Sequence, residues 1–296
     1  MRSNSTWKQS GEMTDKTWAV IKENPQLLKF PALAAVYGTL AAFVFMAPAL
    51  ALVALSDTTP ALIGAGVLFF VGAWAATFVG LRYIAGLVFV ADALLRGEAA
   101  TFDDGMRVAA ERTQALGLWA LISVAVGWIL AAIQGGGDDN VAVTIIRVVL
   151  ASILSAAWSL ITFFVLPVIV LENVGAPAAM KRSMSVIRNK WGEAVTGSFR
   201  IGVRILLTYL LPGIVLLAAG VGLALVVGGM IGVSLGVILG LAGVGLIIVG
   251  VVRQTAARQI FGVALYRYAA DGMVVGRFTE EELSSAIAPR KKAKAR

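Results

Sequence analysis

Long apolar runs dominate the chain, and each run is long enough to predict a helix that crosses a membrane. A bilayer core about 30 Å thick takes about 20 residues of helix. A single helix through the last two runs would be about 75 Å long, so a turn is predicted at Gly228 and Gly229, which separate them. The six predicted spans are residues 31–55, 60–95, 116–134, 141–171, 201–226 and 230–252.

The connections after spans one, three and five carry no Lys or Arg. Their only charges are Asp57, Asp138 and Asp139. Lys and Arg lie instead before span one, after spans two and four, and in the terminal run RKKAKAR. The positive-inside rule places this basic side in the cytoplasm. We therefore expect a multi-pass protein of the cell membrane with both termini in the cytoplasm.

Three segments on the basic side share a pattern typical of an amphipathic helix. In the run MKRSMSVIRNKW, apolar residues recur every three or four positions opposite a polar face. Each segment precedes a pair of spans, which predicts three repeats of one surface helix and one hairpin. The alternative is that basic linkers between spans tend towards this pattern in general. The three apolar faces comprise Met180, Met184, Ile187 and Trp191; Phe102, Met106, Ala109 and Thr113; and Thr14, Trp18, Ile21 and Pro25.

The predicted fold is all-α, a polytopic membrane bundle of six transmembrane helices in three hairpins, each preceded by a cytoplasmic amphipathic interfacial helix. Residues 1–288 form one membrane domain, and 289–296 form a basic disordered tail. Two capping boxes predict further helix starts, at Thr101 with Asp104 and at Thr279 with Glu282. Each hairpin ends in an acidic residue followed by a glycine, and the pairs are Asp92 and Gly97, Glu172 and Gly175, and Asp271 and Gly276.

The amino-acid composition limits the kinds of metal site, catalytic group and partner that the protein can have. Hydrophobic residues make up 59% of the 296 positions and charged residues 14%, against about 25% charged in soluble domains. The chain has neither Cys nor His, which excludes thiolate and imidazole metal sites and nucleophiles that depend on them. No cofactor, no metal and no enzymatic activity are predicted. The net charge of +8 is placed as a membrane protein requires, so anionic phospholipid headgroups are expected partners and nucleic acid is not.

Five arginines are candidates for binding an anionic lipid or solute. Arg82 follows one apolar stretch and precedes another, so it lies either at the inner interface, reaching lipid phosphate, or inside the membrane, where an unpaired charge costs about 3 kcal/mol. Arg147 has the same ambiguity near the outer side. Arg200, Arg204 and Arg253, together with Arg258, would form a basic ring at the inner leaflet, which positive-inside topology alone also predicts.

Small residues and prolines mark positions where helices pack closely or bend. Gly232, Gly236 and Gly240 recur at four-residue spacing, which allows close helix packing within the chain or, alternatively, in a homo-oligomer. Prolines that should bend spans one, four and five are Pro48, Pro167 and Pro212.

The run AAWSLITFFVLPVIVLENVGAPAAMKRSMSVIRNKWGEAVTG, with the opening KTWAVIKENPQLLKFPAL, resembles an uncharacterised family of prokaryotic six-helix membrane proteins known as a domain of unknown function. This resemblance implies a helical membrane domain and supplies no activity. The layout is more distantly similar to the membrane portions that accompany some glycerophosphodiester phosphodiesterases, whose soluble hydrolase domain has no counterpart here.

These patterns favour a non-enzymatic membrane protein with a role in membrane organisation, lipid interaction or assembly with partners, either copies of itself or other membrane proteins. The alternative is a transporter or channel for a lipid or small amphiphilic anion, with Arg82 and Arg147 facing one interior cavity. Intramembrane carboxylates are nearly absent, which argues against proton coupling through acidic relays.

Overall fold

The computed structural model describes residues 15–135, 141–190, 206–227 and 229–287. Within these ranges the protein is helical and contains no strand. Thr14, Trp191, Arg200, Arg204, the acidic pair Asp138 and Asp139, and the basic tail lie outside the described residues.

Eleven α-helices are present in the described ranges. Two further turns differ from α geometry, a 3-10 turn at Pro25–Leu28 and a π-helical turn at Leu206–Leu210. The helices are α1 (15–23), α2 (Lys29–Leu55), α3 (Thr59–Leu95), α4 (Phe102–Glu111), α5 (Thr113–Gln134), α6 (Val141–Ile161), α7 (Val165–Glu172), α8 (Ala176–Lys190), α9 (Leu211–Val226), α10 (Gly229–Asp271) and α11 (Glu280–Ile287).

Six helical segments of the described chain are long and apolar enough to cross a membrane, as expected for a multi-pass membrane protein. Near the turn predicted between the last two, α9 ends at Val226 and α10 begins at Gly229 with a φ of 59°, while Gly228 lies outside the described residues. The six segments are Pro25–Leu55, Thr59–Leu95, Thr113–Gln134, Ile146–Glu172, Thr208–Val226 and Gly229–Asp271.

The last helix is much longer than the predicted span 230–252. α10 has 43 residues and α3 has 37, which corresponds to about 65 Å and about 55 Å. Polar residues after Val252 lower the apolar content, but buried apolar residues return from Ala256 onwards, and every residue from Ile260 to Tyr266 is buried. Such residues include Ala256, Ala257, Ile260, Phe261 and Ala264.

The protein core lies at one end of the bundle, called here the core end, where α3 and α10 finish at Leu95 and Asp271. Side chains at that end of α3 and α10, and along α7, are almost completely inaccessible. At the opposite far end, where α3 and α10 begin, large apolar side chains are exposed, and Leu55 and Met230 reach 86% and 87%. Such exposure is what lipid-facing helices require.

The fourth span, predicted over 141–171 with a bend at Pro167, is broken. Residues 162–164 form a turn between α6 and α7, because Pro167 has no N–H and its ring clashes with the carbonyl of the preceding turn. Ser183 of α8 hydrogen-bonds backbone groups on both sides of the break. Its hydroxyl donates to the Ile161 carbonyl at 2.6 Å and accepts from the Phe164 N–H at 3.2 Å. Pro48, by contrast, lies inside α2, which continues to Leu55.

Helices α9 and α10 approach so closely that backbones touch at glycines. A Cβ on Gly236 would lie 2.5 Å from the Gly220 carbonyl oxygen, and one on Gly243 would lie 2.6 Å from the Gly213 carbonyl oxygen. Of the predicted set, Gly232 and Gly236 face α9, whereas a Cβ on Gly240 would meet only a leucine side chain at 4.0 Å. Close contacts with α9 therefore occur at Gly232 and Gly236, at the predicted four-residue spacing, and again seven residues further along at Gly243.

The three segments with the shared pattern are helical as α1, α4 and α8, and the buried face of each overlaps the predicted face in part. Met184, for example, is 49% exposed. Positions that correspond in the proposed repeat are buried in all three helices: Thr17, Gly105 and Ser183; Val20, Val108 and Val186; and Ile21, Ala109 and Ile187. The repeat itself and the attachment of these helices to a membrane surface stay predictions.

Both predicted capping boxes are confirmed. At the start of α4 the Thr101 hydroxyl accepts from the Asp104 N–H, and the Asp104 carboxylate accepts from the Thr101 N–H at 3.0 Å. The Thr101 hydrogen bonds lower the pKa of Asp104 below its ordinary value. At the start of α11 Thr279 and Glu282 make the same exchange.

Candidate functional site

Arg82 and Arg253 occupy the same level of the bundle. Each lies 23 or 24 residues from the far end of its helix, or about 35 Å along the axis. A bilayer core is about 30 Å thick, so a membrane entered at the far end would place both guanidinium groups at the opposite headgroup layer. The apolar residues that follow Arg82 need no lipid, because Ala85, Leu87 and Val88 are fully buried in the protein core.

Arg253 lies in a cleft of about 540 Å³ between the α1 region, the π-helical turn and α10. The cleft combines one apolar and aromatic wall with two cationic side chains. Its lining comprises Trp18, Ile21, Lys22, Pro25 and Leu28 from the α1 region, Thr208 and Tyr209 from the π-helical turn, and Arg253 from α10.

The Arg253 guanidinium is held by aromatic groups and not by a carboxylate. One terminal nitrogen donates a hydrogen bond to the Tyr209 hydroxyl. Its central carbon lies 5.4 Å from the Tyr209 ring centroid and 6.0 Å from that of Trp18, within the range of cation–π attraction. No carboxylate of the described chain forms an ion pair with Arg253 or Lys22, so two positive charges stay uncompensated in this cleft.

Arg82 lies in a second cleft, of about 480 Å³, between α2, α3 and α4. Its Nε is buried and has no hydrogen-bond partner among the described residues, although a guanidinium offers five donors. Two tyrosines flank it, and the rings of Tyr37 and Tyr83 stack at 5.7 Å. Met106 of α4 closes the side of the cleft nearest the core end.

The two clefts are built alike. The Arg82 cleft lies between α2, α3 and the surface helix α4, and the Arg253 cleft lies between α10, the π-helical turn before α9 and the surface helix α1. Each contains an arginine from the second helix of the pair and a tyrosine from the first. Trp18 and Met106 occupy corresponding positions of the surface helices.

The remaining helix pair, α5 and α6, differs from the other two at this level. The residue at the corresponding distance along the fourth span is Phe164, which is buried. Trp119 and Trp158 stack at 5.8 Å between the helices. An apolar contact therefore stands where the other two pairs have a cation.

A comparison with models of protein families identifies the family of this chain. The model of a family of unknown function, DUF6159, matches residues 62–276. The chain belongs to the DUF6159 family. The match runs from α3 to the end of α10 and includes both cleft arginines. No curated protein and no solved structure matches the chain.

The other predicted ligand-binding residue of this DUF6159 chain that the structure describes, Arg147, lies apart from the two clefts. It is six residues from the start of α6, about 9 Å from the far end, and it lines neither cleft. Arg82 and Arg147 are therefore at opposite levels of the bundle and share neither of the two clefts.

A network of charges at the core end of the DUF6159 chain was not predicted from the sequence. Asp92 accepts two hydrogen bonds from Arg267, at 2.7 and 2.8 Å, and one from Arg96 at 3.1 Å. Arg267 also donates to Asp271 at 2.8 Å. Nearby, Glu172 accepts from Arg182 at 2.9 Å and from the Tyr266 hydroxyl.

These ion pairs bring together the acidic residues that end the three predicted hairpins. The shared position of Asp92, Glu172 and Asp271 was the available signal, but nothing local showed that all three meet at Tyr266 and Arg267. Since the charges compensate one another, the network joins helix ends and offers no free group to a ligand. Among the described residues no cluster of three or more acidic side chains could hold a metal ion.

Proposed function

We propose that this DUF6159 protein is a non-enzymatic protein of the cell membrane that organises anionic lipid, and partners attached to it, at the cytoplasmic leaflet. Basic side chains support this orientation: Arg96, Arg107, Arg182 and Arg267 lie at the core end, whereas the far end has Asp57. Both termini are then cytoplasmic by the positive-inside rule.

The position of the protein core carries this proposal. The core begins beyond the level of Arg82 and Arg253 and comprises α1, α4, α7, α8, α11 and the ends of α3 and α10, here called the cap. A cap that folds on the cytoplasmic face has the surface of a small helical domain held against the headgroups. The transmembrane portions have few buried side chains. This is better suited to helices that anchor the cap in the membrane than to helices that enclose a transport pathway.

The transporter alternative receives less support from the same geometry. It requires Arg82 and Arg147 to face one interior cavity, and these two residues lie about 25 Å apart along the bundle axis, estimated from helix rise. An arginine near each headgroup layer instead matches side chains that reach lipid phosphate from both ends.

Enzymatic activity has no support from the described carboxylates of the cap, which are engaged in ion pairs or capping boxes at Asp92, Asp104, Glu172, Asp271 and Glu282. The similarity to the membrane portions beside some glycerophosphodiester phosphodiesterases stays a prediction. It lends the proposal only a layout of hairpins with surface helices.

Reconstitution into liposomes tests this function. The full chain is inserted into vesicles of phosphatidylcholine with a minor fraction of phosphatidylglycerol, each labelled in turn with a headgroup fluorophore. We expect energy transfer from the protein's tryptophans to labelled phosphatidylglycerol to exceed that to labelled phosphatidylcholine, and dithionite to bleach only outer-leaflet label. Equal transfer to both lipids would contradict lipid organisation, and bleaching of the inner leaflet would favour the transporter.

Orientation is tested with single cysteines, because the chain has none of its own. Asp57→Cys marks the far end and Glu98→Cys marks the core end, and both positions are exposed loops. In intact cells a membrane-impermeant maleimide should label the Asp57→Cys variant alone. Labelling of Glu98→Cys alone would reverse the orientation and contradict the cytoplasmic cap.

A further inference from the structure

The two arginine clefts share a construction that points to one class of ligand. We propose that the Arg253 cleft and the Arg82 cleft each bind the phosphate-bearing headgroup of an anionic phospholipid, one lipid per cleft. This inference rests on the proposed function and deepens it, because it names the sites and the lipid chemistry.

Charge favours an anion in both clefts. Arg253 keeps donors free after its hydrogen bond to Tyr209, and Lys22 adds a second cation at the same opening. In the other cleft the Arg82 Nε is desolvated without a partner in the described chain. A buried donor left unsatisfied is costly, whereas a phosphate diester oxygen beside a guanidinium makes a short charge-assisted hydrogen bond.

Depth favours a lipid over a soluble anion. Both arginines lie about 35 Å from the far end along their helices, at the level where the hydrocarbon core gives way to headgroups. Trp18, Tyr209, Tyr37 and Tyr83 belong to the class of side chain that collects at this interface, with an apolar ring and a polar edge. A phospholipid alone carries a phosphate at this depth together with chains for the apolar walls.

The walls of the clefts accept such chains. Below Arg82, towards the far end, the cleft continues along Leu40, Val44 and Phe78. The Arg253 cleft is walled by Ile21, Pro25 and Leu28. The volumes of about 540 and 480 Å³ lie in the range of small-molecule sites of about 300–1,000 Å³, enough for a headgroup and the first segments of its chains.

The third helix pair has no arginine at the level of Arg82 and Arg253. The α5–α6 pair has Phe164 at the corresponding level, and Trp119 stacks on Trp158 between the helices. The expected stoichiometry is therefore two tightly bound lipids per chain and not three.

Native mass spectrometry of the full chain in mild detergent measures this stoichiometry. Phosphatidylglycerol is added to delipidated wild type and to Arg253→Gln, Arg82→Gln and the double variant. Arg258→Gln is the matched control, because Arg258 is exposed on the same helix as Arg253 and lines neither cleft. We expect two retained lipids in wild type and control, one in each single variant and none in the double variant.

Lipid affinity and thermal unfolding are measured for the same variants. Each single glutamine variant should weaken binding at its cleft about tenfold or more, the loss of one charge-assisted contact, whereas Arg253→Lys should keep most of the binding. All variants should unfold within a few degrees of wild type. If the glutamine variants retain as many lipids as Arg258→Gln, the clefts are not the sites and the inference is overturned.

Three further arms identify the source of the phosphate. Phosphatidylcholine should bind at least tenfold more weakly than phosphatidylglycerol. Inorganic phosphate and glycerol 3-phosphate should neither bind nor displace the lipid at millimolar concentration. Displacement by either would assign the clefts to a soluble anion and overturn the lipid assignment.

The two proposals fail in different ways. Preference of the liposome-embedded protein for anionic lipid, unchanged in the double variant, would overturn the cleft sites and leave the proposed function standing. No preference in wild type would overturn both.

Discussion

Arg267 donates two hydrogen bonds of 2.7 and 2.8 Å to the buried carboxylate of Asp92, and these bonds join the end of α10 to the end of α3. The Asp92 side chain is 3% exposed and that of Arg267 is 19% exposed. Arg96 and Asp271 extend the pair into a chain of four charges. Since these helices belong to the first and last pairs, this contact closes the cap.

Arg267→Gln should therefore destabilise the cap. It leaves the Asp92 carboxylate buried with only Arg96 as a charged partner, and removal of one partner from a buried pair costs about 3–5 kcal/mol. The residual pair with Arg96 reduces this, so we expect a loss of about 2–3 kcal/mol in the free energy of unfolding, measured by titration with sodium dodecyl sulfate in mixed micelles.

Arg277→Gln is the matched control for this change. Arg277 pairs with Glu23 at 2.7 Å, but both side chains are more than half exposed, and such pairs contribute about 0–1 kcal/mol. Equal losses in the two variants would show that the Asp92 contact has no special weight.

Ser183→Ala should destabilise the fourth span. The Ser183 hydroxyl is the hydrogen-bond partner of both the Ile161 carbonyl and the Phe164 N–H at the break between α6 and α7. The site is fully buried, so water cannot replace the hydroxyl, and an unsatisfied buried group costs about 1–3 kcal/mol. The loss is measured as a lower midpoint of thermal unfolding in detergent.

Ser152→Ala controls for the loss of a hydroxyl on the same span. Ser152 is exposed and hydrogen-bonds only to the Val148 carbonyl one turn back in its own helix, a contact that the helix does not need. Its variant should unfold within about 0.5 kcal/mol of wild type. A similar cost for both serines would mean that the break does not depend on Ser183.

Local signals in the sequence were sufficient for much of the fold. The number of spans, the turn before Gly229 and both capping boxes follow from runs of apolar residues and from side chains that bond their own neighbours. Pro167 indicates the break at 162–164, but no local pattern reveals that Ser183, about 20 residues away, hydrogen-bonds the backbone groups there. The buried face of α8 also differs from prediction, because packing against α7 selects Ser183 and Val186 over Met184.

The candidate site was predictable only in part. Arg82 and Arg253 stand out in the sequence because they interrupt apolar runs. Their surroundings do not, since Trp18 and Lys22 reach Arg253 from the other end of the chain. The length of α10 was missed because polar residues interrupt the apolar run after Val252, and the apolar residues that follow are buried by the cap and not by lipid.

Gly105→Ala should disrupt the crossing of α4 over α3. A Cβ at Gly105 would lie 2.7 Å from the Gly86 carbonyl oxygen and 2.9 Å from the Phe30 ring. Both neighbours are packed in the core, so the helices must separate, at a cost of about 1–3 kcal/mol.

Gly80→Ala on α3 is the matched control and should stabilise the protein. A Cβ there meets nothing within 4 Å, and alanine favours helix by about 1 kcal/mol. The midpoint of thermal unfolding should fall for Gly105→Ala and rise for Gly80→Ala. A shift in the same direction for both variants would contradict the close contact of α4 with α3.

Lys16 and Glu282 join the first helix of the chain to the last and should make the cap sensitive to acid. Burial acts to raise the pKa of Glu282, but hydrogen bonds from Lys16, at 2.7 and 2.8 Å, and from Thr279 outweigh it, so the pKa lies below its ordinary value of 4.5. A carboxyl group with a lowered pKa stabilises the fold fully above its unfolded pKa and loses this contribution as pH falls through the folded value. Wild type should therefore lose more stability than Glu282→Gln between pH 6 and about 3, as measured by thermal unfolding. Glu280→Gln, which changes an exposed residue of the same helix, should follow wild type, and a pH dependence in Glu282→Gln equal to that of wild type would exclude Glu282 as its source.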